Sequence, residues 1–94
     1  MTVARVAVFD HAPARQSDDE RRVASLRELL QAQPGFVAGY HLLEEETGRM
    51  MSVSIWETDA AMQAGERAVM KRPAQDRRDI RPDRIERWTV EGTF

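Results

Sequence analysis

The sequence predicts a single α+β domain in which two helices pack on one face of a four-stranded antiparallel sheet. Three observations predict this ferredoxin-like βαββαβ order. The 94 residues suffice for one core. Apolar, β-branched runs recur at four places along the chain, and helical periodicity or capping signals occupy two of the intervals between them. We therefore expect one domain over residues 1–94.

The first strand is predicted at residues 3–9, where a β-branched run ends at a turn-like Asp-His-Ala-Pro cluster. Helix one is predicted to begin at Ser17, because Glu20 follows three residues later in a capping-box pattern. It is predicted to end before Pro34-Gly35, since proline disfavours helical geometry in the residue before it. Its apolar stripe consists of Val23, Leu26, Leu29 and Leu30.

The second half of the chain predicts a hairpin followed by a helix and a closing strand. Residues 36–43 and 50–56 are β-rich runs on either side of a polar, glycine-containing turn. Thr58 is the predicted N-cap of helix two, which runs to about Met70. The remaining predictions are an irregular charged segment at 71–83, a short turn around 75–79 and the closing strand at 84–90.

Strand two is apolar on both faces, which is unusual for a sheet that has helices on one side only. The helices cover one face, and the sheet of a second copy would cover the other. The sequence therefore predicts a homodimer. Strict alternation gives the two faces as Phe36, Ala38, Tyr40 and Leu42, and as Val37, Gly39, His41 and Leu43.

Composition argues against several classes of partner and cofactor. The 14 basic and 16 acidic residues give a net charge of −2, so the chain lacks the basic footprint of a nucleic-acid-binding protein. There is no cysteine, which excludes disulfides and thiolate metal sites and is compatible with a reducing cytoplasm. No apolar run approaches the roughly 20 residues that span a bilayer. Two histidines without metal-ligand spacing predict no metal site. We expect a cytoplasmic protein.

Three segments carry a pattern known from one family: PGFVAGY at 34–40, ETGR at 46–49 and SIWETDAAM at 54–62. This pattern resembles the antibiotic biosynthesis monooxygenase (ABM) domains of the dimeric α/β-barrel superfamily. The resemblance implies a homodimer whose two sheets form a barrel, with a small-molecule pocket between sheet and helices in each subunit. Members include cofactor-free oxygenases of polyketide quinones, haem-degrading enzymes and proteins without a known reaction.

The haem-degrading branch of that family carries an asparagine in its first strand, a tryptophan in helix two and a histidine after helix two. With Trp56 aligned on the family's strand-three tryptophan, these positions fall near Ala7, on Gly65 and close to Ala74. The chain contains no asparagine, and no histidine follows His41. The departures argue against haem degradation, and we predict that the protein uses no haem, flavin or metal.

The leading functional hypothesis is a cofactor-independent monooxygenase that acts on an aromatic or quinone-type metabolite. His41 is the best candidate base, since its reference pKa is near 6.5, and Tyr40 is the neighbouring polar candidate. Adjacent strand residues point to opposite faces, so one of the two is expected to line the pocket and the other not. The predicted lining of a hydrophobic or aromatic ligand consists of Trp56, Phe36, Met51 and Met62.

The alternative hypothesis is a non-catalytic dimeric binding or stress-response protein with the same barrel. It is supported by the absence of a convergent catalytic set in the sequence. Helix two has a small-residue face that either leaves room for a pocket beneath the helix or lets it pack closely on the sheet. That face consists of Ala60, Ala61, Ala64, Gly65 and Ala68.

Two charged stretches are predicted to have ordinary roles. The glutamates at 44–46 are expected to form a solvated turn, because three adjacent carboxylates cannot all converge on one ion. The arginine-rich segment 71–84 is interleaved with aspartates, which suits local ion pairing. A single arginine of this segment remains a candidate for binding an anionic substrate at the mouth of the pocket.

Overall fold

The computed structural model describes residues 1–10, 19–73 and 82–94. Its elements follow the predicted order, and the first three strands have the predicted bounds. The last strand ends at Thr89, one residue earlier than predicted, although the N–H of Val90 still donates to the carbonyl of Thr2 over 2.9 Å. The elements are β1 Val3–Phe9, α1 Asp19–Gln31, β2 Phe36–Leu43, β3 Met50–Trp56, α2 Asp59–Met70 and β4 Arg84–Thr89.

Some of the sequence predictions fall outside the described residues. They are the capping box at Ser17, the turn around 75–79, and the positions of His11 and Ala74. Helix two does begin as predicted, because the Thr58 side chain accepts the N–H of Ala61 over 3.0 Å. This bond satisfies one of the backbone donors that the first turn of a helix leaves unpaired.

The four strands form one antiparallel sheet in the order β2-β3-β1-β4. α1 packs over β2, and α2 packs over β3 and β1. Both helices contact the same face, since Arg27 of α1 bonds His41 and Gly65 of α2 packs on Trp56. His41 and Trp56 share that face because His41 pairs with Ser52, four residues before Trp56 on β3. The predicted ferredoxin-like fold is confirmed.

The sheet therefore has a helix face and an open face, and β3 shows the division best. Ser52, Ser54 and Trp56 lie on the helix face. Met51, Val53 and Ile55 lie on the opposite side, which we call the open face. Within the described residues, no element packs over the open face. Its large exposed side chains include Tyr40, Leu42 and Trp88, which are 56%, 49% and 59% exposed.

The prediction that side chains alternate strictly between the two faces along β2 is wrong at its first residue, Phe36. Phe36 pairs with Trp56, whereas Ala38 pairs with Ile55, so the register shifts between Phe36 and Ala38. A β-bulge of this kind inserts one extra residue and reverses the phase of the side chains on either side of it. Phe36 consequently lies on the helix face, and its ring meets the Trp56 ring edge-to-face at 5.3 Å.

The core lies between α2 and the helix face, and its largest fully buried side chains are Trp56 and Met62, at 1% and 0% exposed. Gly35, just after α1, has φ +83°, in the left-handed region that favours glycine. A Cβ there would also lie 2.6 Å from the Cβ of Ala61. The Pro34-Gly35 pair thus ends the helical segment and lets the chain enter β2 close to α2.

Candidate functional site

Three of the predicted site residues, Phe36, His41 and Trp56, lie along one ladder of the helix face, which we call the helix-side strip. The strip has two rows with polar side chains between two apolar rows, so it could hold a flat molecule and bond its polar groups. Its rows are the pairs Phe36–Trp56, Gly39–Ser54, His41–Ser52 and Leu43–Met50.

One end of the strip is closed by aromatic packing. The Phe36 ring meets Trp56 at an interplanar angle of 82° and also lies over Gly39, where a Cβ would be 3.3 Å from the ring. The Trp56 Nε1–H donates to the Ser54 Oγ over 2.9 Å. Edge-to-face contact and a satisfied indole N–H fix both rings in place, so this end is a rigid wall.

α2 packs directly against the Trp56 ring of this wall. A Cβ added at Gly65 would overlap Cη2 of Trp56 and lie 2.8 Å from its Cζ2. Ala60 and Ala64 are exposed and do not face the sheet. Of the two alternatives for this helix, the small residue at 65 therefore serves close packing on Trp56. A ligand on the strip would therefore have to lie away from Trp56, toward the β2–β3 turn.

The other end of the strip is open and carries its most polar contact. An Nη of Arg27 lies 2.8 Å from Nδ1 of His41, and both residues are exposed. Leu43, in the last row, is 54% exposed, so α1 does not seal this end. Arg27 and His41 are thus positioned to contact a molecule that lies on the strip.

The contact between Arg27 and His41 defines the state of the imidazole. A guanidinium has only donors, so Nδ1 of His41 must accept from it. This hydrogen bond is that of the neutral tautomer, which carries its proton on Nε2. Arg27 is not recognisable as a site residue from the sequence, because position 27 lies outside the apolar stripe of α1 and nothing local links it to β2.

The structure separates the predicted site residues into two groups. His41, Phe36 and Trp56 lie on the helix face, and Met62 is buried on α2. Tyr40 pairs with Val53 and lies on the open face. The other residue of the second group is Met51, which pairs with Leu42 on the open face.

The open face carries an ion-pair network near the β2–β3 turn. Glu44 accepts two bonds from Arg49, at 3.1 and 3.2 Å, and a further bond from the Thr47 hydroxyl. Arg49 and Arg84 approach the carboxylate of Asp10 at 3.7 and 3.2 Å. The predicted solvated turn at 44–46 therefore contains one carboxylate, that of Glu44, with specific partners.

The network continues along β4. The Nε of Arg84 donates to Glu86 over 2.9 Å, and the indole N–H of Trp88 donates to the same carboxylate over 3.0 Å. These bonds hold the pKa of Glu86 below its usual value, with the arginine as the larger cause. In the same way, the Arg49 guanidinium and then the Thr47 hydroxyl hold the pKa of Glu44 low. Arg84, from the predicted anion-binding segment, is thus paired with carboxylates.

A depression of about 350 Å³ lies beside this network. Its floor is apolar and includes Met51, Leu42 and Val8, while Asp10 and the two paired arginines form its rim. It lies at the end of the sheet next to the β2–β3 turn, where Leu43 and Met50, the last row of the helix-side strip, line it together with the open-face residues. Met51, a predicted ligand contact, lines this depression.

The described ranges contain neither a cluster of metal-ligating side chains nor a membrane-spanning helix. No group of three histidine, aspartate or glutamate side chains there could hold a metal ion. No helix within those ranges combines the length and the apolar character needed to span a membrane.

The fold is shared with several solved structures. SnoaB, a cofactor-independent oxygenase from Streptomyces nogalater, matches with a TM-score of 0.73 and 21% identity, over 98% of this chain and 95% of that chain. The heme-degrading protein Rv3592 from Mycobacterium tuberculosis matches with a TM-score of 0.70 and 21% identity, over 100% and 99% of the two chains. Rv0793 from the same organism has a TM-score of 0.76 and 14% identity, over 99% and 98%. At these identities the likeness shows the fold alone.

A search of curated protein sequences found no match. The profile of the antibiotic biosynthesis monooxygenase family, in contrast, matches residues 2–68, which is well over half of the chain. This range includes β1, α1, the β2–β3 hairpin and most of α2, and hence the whole helix-side strip. The chain belongs to the antibiotic biosynthesis monooxygenase family.

Proposed function

We propose that this protein binds a flat aromatic or quinone-type molecule on the helix-side strip and oxidises it with molecular oxygen, without a resident cofactor. The observation that carries the proposal is the combination of a rigid aromatic wall, Phe36 with Trp56, and a base candidate, His41, on one strip. The family membership and the fold likeness to a cofactor-independent oxygenase support the reaction class. Because one fold hosts many reactions, the argument rests on these side chains.

The chemistry needs a base, an apolar surface and oxygen. His41 takes a proton from an acidic C–H of a hydroxyaromatic substrate, and the resulting carbanion bonds to O2. Protonation gives a hydroperoxide, which loses water and leaves a carbonyl. In the sum, a CH2 group and O2 become C=O and H2O. Phe36, which packs on the buried Trp56, contacts the substrate plane and keeps bulk water from one side of it.

The proposed chemistry uses no haem, because the described residues fit one poorly. Trp56 is 1% exposed and lies directly against Gly65, so a porphyrin has no space between α2 and β3 there. Nδ1 of His41, on the helix face, is engaged by Arg27.

We also propose that two copies associate through their open faces. The exposed Tyr40, Leu42 and Trp88 form an apolar surface that no described element covers. Tyr40 then contributes to the interface rather than to the chemistry. The cysteine-free composition is compatible with the reducing cytoplasm, where we place the dimer.

A non-catalytic binding protein is the second candidate function. The close packing of Gly65 on Trp56 favours it, because it removes the pocket expected beneath α2. This candidate predicts a ligand that binds on the strip and is released unchanged.

The test compares oxygen uptake with anthrone-type substrates for the wild type and for His41→Phe and Tyr40→Phe. General base catalysis typically contributes about 10²-fold or more, so His41→Phe should lose at least that much. Tyr40→Phe should keep its rate, because Tyr40 lies on the other face of the sheet. Turnover that survives at wild-type rate in His41→Phe excludes His41 as the base. Saturable binding without any oxygen uptake supports the second candidate.

A further inference from the structure

We propose that Arg27 and His41 recognise an anionic oxygen on the ligand, such as a carboxylate, phenolate or enolate, and that Arg27 leaves His41 when this anion binds. Anion recognition stands independently of turnover, whereas the proton transfer described below rests on the proposed oxygenase function.

Arg27 differs from the arginines that are paired with carboxylates. Arg5, Arg49, Arg84 and Arg87 each approach an aspartate or glutamate oxygen within 3.4 Å. In the part of the chain that the structure describes, the contact of Arg27 is with a neutral imidazole. Its positive charge is therefore not compensated by that partner, and an anion would bind it more strongly than Nδ1 does.

The surroundings of Arg27 select a ligand with an apolar body. His41 pairs with Ser52, which adds a hydroxyl to the same row of the strip. The next row, Leu43 and Met50, is apolar, and the Phe36–Trp56 wall closes the far end. A flat aromatic acid or a phenolate fits these features, with its ring along the strip and its charged oxygen at Arg27.

Departure of Arg27 has a chemical consequence for His41. While Arg27 donates to Nδ1, the lone pair of that atom is occupied and the ring cannot act as a base through it. When the guanidinium turns to the ligand's anionic oxygen, this lone pair is released. A substrate proton then moves to Nδ1 while Nε2 keeps its own proton, so His41 becomes an imidazolium and the substrate gains one further negative charge, next to Arg27. Ligand binding thus frees the Nδ1 lone pair of His41 to accept a proton.

Binding of a model anion tests the inference without any turnover. Salicylate is the probe, because it combines a flat ring with a carboxylate, and salicylamide is its neutral counterpart. Titrations are followed by ¹⁵N NMR of the arginine side chains and of the His41 ring. We expect saturable shifts with salicylate, including a change at Nδ1 as Arg27 leaves it. Arg27→Met, which keeps an apolar stem, should lower salicylate affinity about tenfold or more and change salicylamide affinity about twofold or less.

Arg21→Met is the matched control, since Arg21 is an exposed arginine on the same helix. It removes the same charge and should leave salicylate affinity within about twofold of the wild type. Equal losses of salicylate affinity in the two variants would mean that general charge attraction, rather than Arg27, binds the anion, and would overturn the inference. Unchanged affinity in Arg27→Met would also overturn it. So would the absence of saturable binding in the wild type. Arg27-dependent salicylate binding, together with no oxygen uptake from the anthrone-type substrates, supports anion recognition and counts against the oxygenase proposal alone.

Discussion

Gly65 of α2 lies flat against the indole of Trp56, so close that any side chain at position 65 would overlap the ring. The indole has no room to move aside, because Trp56 is 1% exposed, contacts Phe36 edge-to-face and donates its N–H to Ser54. The missing side chain at 65 therefore sets how closely α2 approaches the sheet.

We predict that Gly65→Ala destabilises the protein even though alanine is the better helix former. The gain in helix propensity is about 1 kcal/mol, whereas overpacking a closed core typically costs about 1–3 kcal/mol. The measurement is urea unfolding at fixed protein concentration. Gly92→Ala is the control, because nothing lies within 4 Å of a Cβ at that position. A Gly65→Ala variant as stable as the control variant would show that α2 can move away from Trp56.

The same contact predicts the outcome of a haem titration. Hemin should give no stoichiometric, saturable Soret shift, because the volume between α2 and β3 at this level is occupied by Trp56 and Gly65. Absorption spectra recorded during titration, followed by addition of a reductant, provide the measurement. A saturable shift followed by haem breakdown would contradict the prediction and the packing argument with it.

The elements of this fold could be predicted because their signals are local. The bounds of β1, β2 and β3 follow from runs of β-branched and apolar residues, and the Thr58 cap fixes where α2 begins. Each signal lies within a few residues of the element that it defines. The sequence of such elements then leaves few arrangements other than a ferredoxin-like sheet with two helices on one face.

The site was less predictable, because its geometry depends on non-local register. The shift between Phe36 and Ala38 places Phe36 on the helix face with Trp56, against strict alternation. Which of Tyr40 and His41 faces the helices follows only from the pairing of β2 with β3. The contact of Arg27 with His41 joins residues 14 positions apart in different elements, and no sequence spacing predicts such a contact.

The pairing of Glu44 predicts a specific acid sensitivity. Bonds from Arg49 and Thr47 lower the pKa of Glu44 from its ordinary value of 4.5. A carboxyl with a lowered pKa in the folded state contributes stability above its unfolded pKa and loses it as the pH falls below that value. We therefore expect part of the decline in unfolding free energy below about pH 4.5 to disappear in Glu44→Gln.

Glu45→Gln is the matched control, because it neutralises the exposed neighbouring carboxylate of the same turn. Urea unfolding at about pH 7 and at about pH 3 measures how much unfolding free energy each variant loses between the two pH values. Glu45→Gln should keep the wild-type difference between the two conditions. If both variants lose equally less stability at low pH than the wild type, general charge rather than the Arg49–Glu44 bonds causes the loss of stability in acid.

The last prediction concerns the open face and uses two neighbouring leucines. Leu42 and Leu43 are similarly exposed in the single chain, at 49% and 54%, but they point to opposite sides of β2. If two copies pack sheet to sheet, Leu42 lies in the interface and Leu43 does not. A charge buried without a partner in such an interface is costly. Leu42→Glu should therefore convert the dimer to a monomer, whereas Leu43→Glu should leave it dimeric.

Size-exclusion chromatography with light scattering at low micromolar concentration distinguishes these outcomes. Obligate interfaces of this kind bury about 2,000 Å² or more, so the wild type should show no monomer in this range. The comparison isolates the face of the sheet, because the two variants share the strand, the substitution and nearly the same exposure. A folded wild-type monomer would refute sheet-to-sheet pairing. Dissociation by Leu43→Glu but not by Leu42→Glu would instead place the interface on the helix face, where a partner would cover Arg27 and His41.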